Sequence, residues 1–329
     1  MNRWLWIVLI ALGLAAPYVL YPVFVMKLLC FALFACAFNL LLGYTGLLSF
    51  GHAAFFGGAA YVCGHALKVW GLPTELGILL GAAVGGLLGL VFGSLAIRRQ
   101  GIYFAMITLA LAQIVYFVAL KSPFTGGEDG LQGIPRGKLF GVIDLEDSLN
   151  MYYFVLAIFL AGFWLIDRIV DSPFGQVLKA IRENEPRALS LGYDVSRFKL
   201  AAFVMSATLS GLAGATKAVV FQFASLTDVH WATSGEVILM TLLGGLGTIL
   251  GPMVGAFTVV SLHSKLSAIG SWVTVIIGIT FIVCVLLFRR GFVGELQHLL
   301  RGQFGAEPGK PQAGGKPVAV AQPGSGGKH

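Results

Sequence analysis

The sequence predicts an all-α polytopic membrane protein with about ten transmembrane segments, and three observations carry that reading. Hydrophobic residues make up 57% of the 329 residues and charged residues only 11%, a balance that a soluble domain does not have. The apolar residues gather into successive runs long enough to cross, or nearly cross, a bilayer. One strongly polar stretch, 171–199, lies between two of these runs and marks an aqueous face.

The first run, 4–22, follows Arg3 and carries Ala15 and Ala16 near its end, features that a cleaved signal peptide would also have. A second run, 24–42, follows almost at once, so the pair reads as a transmembrane hairpin turning at Tyr21-Pro22. Runs 49–69, 74–97, 101–120, 150–167 and 200–222 come next, and 235–250, 251–266 and 271–288 complete the series. Residues 235–266 would suffice for one long helix. Gly244-Gly245-Leu246-Gly247, ahead of Gly251-Pro252, divides them, because glycine and proline are where a helix breaks. Only the divided form puts Arg289-Arg290 on the same side as Arg98-Arg99 and the polar stretch, as the positive-inside rule asks. Some segments are therefore short or broken, and both termini fall on the cytoplasmic side. Residues 1–302 form the transmembrane domain. Residues 303–329, rich in glycine, proline, alanine and lysine, have too little apolar surface to order and form a disordered tail.

The polar stretch has the grammar of two short helices. Asp171 or Ser172 caps the first, and Pro173 sits where a missing amide hydrogen costs nothing. Phe174, Val177, Leu178 and Ile181 share one face at helical spacing, while Gln176, Lys179, Arg182 and Glu183 share the other. Pro186 cannot continue this helix, but Asn184 caps a second one with Pro186 in its first turn, and Gly192 suits a left-handed end. Such a pair is either a docking element for another protein or a linker lying on the membrane surface.

Several classes of function are excluded or disfavoured. The net charge of +7 is spread over the ends of apolar runs, where membrane orientation accounts for it and nucleic-acid binding does not. Cys30, Cys36, Cys63 and Cys284 lie inside apolar runs, and the six histidines are far apart without a metal-ligand pattern, so no metal site is expected. Residues 211–217 have glycines and a lysine at the wrong spacing for a phosphate-binding loop. The chain is thus expected to bind no nucleotide and to be no enzyme. Glu75, Asp228 and Glu236 stand at segment ends, which argues against a proton-coupled carrier.

Glycine is the informative residue, with 44 in the chain. One break runs from Gly43 through Gly46 and Ser49 to His52, and another includes Gly244, Gly245, Gly247 and Thr248. Irregular backbone at membrane depth is tolerated where it is buried in protein or lines a cavity, so these eight residues are candidates for a translocation pathway. Close helix packing explains the same glycines equally well, and it explains the Gly81, Gly85, Gly86, Gly89, Gly93 stripe better. His52 is a candidate pathway group or a packing histidine. The 121–149 loop, with its TGGEDGL sequence (125–131), is suited to receiving a partner, to covering a pore mouth, or to neither.

Five stretches together resemble one family. GYTGLLSFGHAAFFGGAAY (43–61), TGGEDGL (125–131), SPFGQVLKAIRENEPRALSLGYD (172–194), KLAAFVMSATLSGLAGA (199–215) and SGEVILMTLLGGLGTILGP (234–252) are similar in order and spacing to the M-type permease subunit of bacterial branched-chain amino acid ABC importers. The resemblance spans about residues 24–292. It implies a multi-pass protein of the bacterial inner membrane that works with a second, homologous permease subunit, two cytoplasmic ATPase subunits that use the ATP, and a periplasmic substrate-binding protein.

The resemblance also implies that 172–194 couples the permease to the ATPases, through Pro173, Phe174, Gly175, Val177, Leu178, Ala180, Ile181, Arg182, Glu183, Asn184, Glu185, Pro186 and Gly192. The apolar stripe would enter an ATPase groove with Arg182, Glu183 and Glu185 at its rim. Glu185-Pro186-Arg187-Ala188 with Gly192 is similar to the E-A-A…G signature of such permeases, proline replacing the first alanine. Related permeases serve urea, short amides and other amino acids, and an ion-coupled secondary transporter is the alternative outside the family.

Overall fold

A computed structural model describes residues 3–139, 141, 143–266, 275, 276, 278, 279 and 282. The tail expected at 303–329 lies outside the described residues, as does most of the segment expected at 271–288. Twelve α-helices account for nearly all of the described chain. Five of them, α2 (Pro22–Thr45), α4 (Thr74–Ala96), α5 (Ile102–Lys121), α6 (Ser148–Asp171) and α9 (Val195–Phe221), are long and apolar enough to cross a bilayer.

The bundle is built around α2. Its 24 residues rise about 36 Å, and most of them from Val25 to Thr45 are buried on every face, as expected of a helix that is apolar all round. The packing is aromatic at its centre, where Phe34 stacks on Phe56 of α3 (His52–Lys68) with ring centroids 4.5 Å apart. The hairpin turn expected at Tyr21-Pro22 is present between α1 (Arg3–Val19) and α2. The α1 helix is tied to α6, where the Tyr152 hydroxyl donates to the Gly13 carbonyl at 2.5 Å and the Trp6 indole donates to Asp167 at 3.3 Å.

The glycine stripe of α4 packs against α9. A Cβ on Gly85 would lie 2.9 Å from the Gly211 backbone, and one on Gly81 2.7 Å from Ala215. The two backbones approach that closely because small residues recur at every turn. α9 starts at Val195, earlier than the 200 expected, because Asp194 caps it by accepting the Arg197 amide at 3.2 Å. Lys199 is consequently a buried helical residue.

The 121–149 loop is ordered and strapped to the bundle. Its strand β1 (Leu131–Gln132) pairs antiparallel with β4 (Phe223–Ala224) just beyond α9, and β2 (Lys138–Leu139) pairs with β3 (Ile143–Asp144). Ile134 is fully buried, and Arg136 donates to the Val220 carbonyl at 2.7 Å. A short helix, α10 (Leu226–Val229), precedes α11 (Trp231–Gly244) and α12 (Gly251–Leu266). The last two fold back on each other about a tip at residues 245–250, with Gly244 against the Gly251 carbonyl and Gly255 against that of Met240. The division of 235–266 into two short helices is therefore present.

Candidate functional site

The polar stretch folds as its capping residues dictate. The Ser172 hydroxyl accepts the Gly175 amide at 3.3 Å and starts α7 (Pro173–Glu183); the Asn184 side chain accepts the Arg187 amide at 3.1 Å and starts α8 (Glu185–Ser190). Gly192 closes the pair at φ +87°, a conformation that glycine adopts without steric cost.

The orientation of α7 corrects the expected groove contact. Leu178 and Ile181 are buried in this chain, Ile181 in a small cluster with Ala188 and Val195, and Phe174 stacks on Phe198 at 5.4 Å. An amphipathic helix at the end of a bundle covers its own apolar stripe before it meets another chain, so Leu178 and Ile181 are not free to enter a groove, while Phe174 and Val177 are half-buried. Glu185 also turns inward, to Lys199 at 2.7 Å and to the Gln100 amide at 2.9 Å. The outward face instead presents Ala180, Glu183, Pro186, Arg187, Leu189 and Leu191.

Arg182 departs furthest from the expected rim position. Its guanidinium Nη1 donates to the Gly43 carbonyl in the last turn of α2, and its stem passes beside Gly46, where a Cβ would lie 3.2 Å from Arg182 Cγ. The same guanidinium adjoins Gly247 at the tip between α11 and α12. Asn39 completes the junction: its Nδ2 donates to the Thr248 carbonyl at 2.9 Å, and its Oδ1 accepts the Gly247 amide at 3.1 Å. Thr248 bridges its own loop, donating to the Gly245 carbonyl at 2.8 Å and accepting the Gly251 amide at 3.1 Å. Side-chain amides here satisfy backbone that no helix pairs, which is the condition for irregular chain in an apolar setting.

Of the eight candidate pathway residues, Gly43, Gly46, Gly247 and Thr248 meet at Arg182 and Asn39. Gly244 and Gly245 lead into the same tip. Ser49 and His52 stand apart. Ser49 accepts the Gly51 amide at 3.1 Å ahead of α3. His52 is wholly buried beside Phe38, Phe55 and Phe203, and its Nε2 lies 2.9 Å from the Ser206 hydroxyl. Ser206 spends its hydrogen on the Ala37 carbonyl at 2.6 Å, so Nε2 carries the proton and donates to it.

Sequence reasoning did not single out Asn39. The signal was present, because a lone amide inside an apolar run needs a partner across the bundle, but nothing local identifies that partner.

Crossing helices around a buried α2, a hairpin of half-length helices, and a peripheral helix pair tied by one arginine to two chain breaks define a polytopic membrane permease. The chain belongs to the family described as branched-chain amino acid transport system / permease component, whose model matches residues 23–285. It is 26% identical over 295 residues to the high-affinity branched-chain amino acid transport system permease protein LivM of Salmonella typhimurium, covering 83% of this chain and 69% of that protein. The protein of the same description in Escherichia coli is 25% identical over the same shares. The autoinducer 2 import system permease protein LsrC of Klebsiella pneumoniae is 28% identical over 195 residues, 56% of this chain and 53% of that protein. No solved structure matches the chain.

Proposed function

We propose that this chain is the membrane permease subunit of an ATP-driven importer for branched-chain amino acids in the bacterial inner membrane. It pairs with a second, homologous permease subunit, two cytoplasmic ATPase subunits and a periplasmic binding protein, and itself binds no nucleotide, cofactor or metal. The observation that carries this reading is the family match over residues 23–285, and the Arg182 junction supplies the mechanical link it needs. A displacement of α7 and α8 by an ATPase pulls on the end of α2 and, through Asn39, on the α11–α12 tip. Two discrete arrangements of such a joint open the bundle toward one side or the other. The ATPase contact falls on the outward face, where Leu189 and Leu191 are 55% and 69% exposed, and the cytoplasm lies on the α7–α8 side with both termini.

Leucine uptake by cells carrying the complete system tests this. Uptake should survive dissipation of the proton gradient while ATP is held constant; its loss would overturn the ATP-driven reading. Arg182→Ala should lower uptake about tenfold, the scale of one charge-assisted hydrogen bond, with the ATPases still co-purifying. Parental uptake by that variant would remove the junction from the mechanism.

A further inference from the structure

At the end of the bundle opposite α7 and α8, a cavity of about 430 Å³ opens between α2, α9, α10, α11 and α12, a size typical of small-ligand sites. Its wall carries two lysines, Lys27 and Lys217, and two carboxylate residues, Asp228 and Glu236, beside His263. Lys217 and Asp228 are spent on each other: Lys217 Nζ lies 2.7 and 2.6 Å from the two Asp228 oxygens, and Asp228 also accepts the Ser225 amide at 3.2 Å and hydroxyl at 3.0 Å. Both side chains are nearly buried, at 12% and 8% exposure, so removing either would strand the other. Lys27 and Glu236 are not locked in this way. Among the described residues Lys27 has no hydrogen bond, and Glu236 has a long contact of 3.6 Å to His263 Nε2.

The apolar lining is layered beneath these groups. α2 and α11 run from this end toward the Arg182 junction, and α12 runs back from it, so depth in the cavity follows from residue number. Phe31, Met240 and Val260 each lie about one helical turn deeper than Lys27, Glu236 and His263 on their respective helices, a step of about 5.4 Å. That is the reach of a short aliphatic side chain from its head group.

We propose that this cavity is a recognition site for a zwitterionic α-amino acid. Lys27 takes the carboxylate, Glu236 the ammonium, and the Phe31–Met240–Val260 layer the side chain. A ligand bearing one charge of each sign gives the unlocked cation and the unlocked anion a direct partner each, at the same time. A neutral sugar gives neither a charged partner, and an anion or a cation pairs with one while facing a like charge on the other, a mismatch that polar sites reject. The assignment rests on the amino-acid import reading and adds to it that selectivity is exercised by the permease itself.

The test uses the transporter purified into lipid nanodiscs with the subunits that accompany it, carrying Thr233→Cys in the cavity wall, the parent chain serving as the labelling blank. Leucine, alanine and glutamine are the probes. At about ten times its dissociation constant a bound probe slows thiol labelling about tenfold by mass action. At least one zwitterion should do so, whereas 4-methylpentanoate, isoamylamine and ribose should not. Lys27→Gln and Glu236→Gln should each abolish the protection while the complex remains assembled by gel filtration. Absence of protection by all three amino acids, equal protection by ribose, or protection that survives both substitutions overturns the proposal. Leucine uptake measured in parallel keeps the two claims apart. Protection without uptake sinks the import reading and leaves the site, and uptake without protection does the reverse.

Discussion

Two populations of glycine, alike in the sequence, do opposite work in the fold. Along α4, Gly81, Gly85, Gly89 and Gly93 repeat at every turn of an unbroken helix and let the α9 backbone approach to within contact. At the junction, Gly43, Gly46 and Gly247 sit at chain ends and breaks, where the polar side chains of Asn39 and Arg182 supply the hydrogen bonds that helices leave unmade. The seam is held by continuous dispersion contact, which has one good geometry. The junction is held by a few directional bonds, which can be exchanged for others. A rigid wall and a movable joint are therefore made from the same residue, and the neighbours decide which.

Gly85→Leu should have the largest effect. The new side chain meets the Gly211 backbone, which cannot move aside, and overpacking of this kind costs about 3 kcal/mol or more. The chain should fail to accumulate in the membrane, measured by immunoblot of the membrane fraction; parental accumulation would show that the seam has slack. Asn39→Leu should come next. It strands the Gly247 amide and frees the Thr248 carbonyl, about 1 kcal/mol for each of these half-buried groups. The chain should still accumulate, with a lowered unfolding temperature and leucine uptake reduced at least about tenfold. Uptake that is unchanged at that lowered stability would make Asn39 a structural clasp and nothing more.

The local features were legible in the sequence and the long-range ones were not, for a physical reason. Ser172, Asn184, Pro173 and Gly192 mark the ends of α7 and α8 because a cap acts on amides two or three residues away. The break at residues 245–250 was legible because four glycines and a proline gather there and the positive-inside rule favours dividing the run. Asn39 and Thr248 are 209 residues apart, and no periodicity in either segment points to the other. The pairing of β1 with β4, two residues a side, is too short to leave a pattern. The direction of the α7 stripe was hidden differently: Leu178 and Ile181 have the same spacing whether they meet their own bundle or a partner, and only their burial separates the cases. Glu185 was hidden in the same way, its charge suiting a rim as well as it suits Lys199.

The smallest expected effect is also the one that best separates joint from wall. Gly46 and Gly192 both hold positive φ, +78° and +87°, so alanine at either costs about 1 kcal/mol of backbone strain. Nothing lies within 4 Å of a Cβ at Gly192, whereas one at Gly46 presses on Arg182 Cγ at 3.2 Å. The two variants should therefore lose similar stability, read as similar drops in unfolding temperature of the purified transporter. Only Gly46→Ala should disturb the contact between Arg182 and the Gly43 carbonyl, and only it should lower leucine uptake, by about two- to fivefold for a loss of part of one hydrogen bond. Equal uptake by the two variants would mean that the end of α2 tolerates a shifted arginine, and the joint would then have to be sought at Asn39 alone.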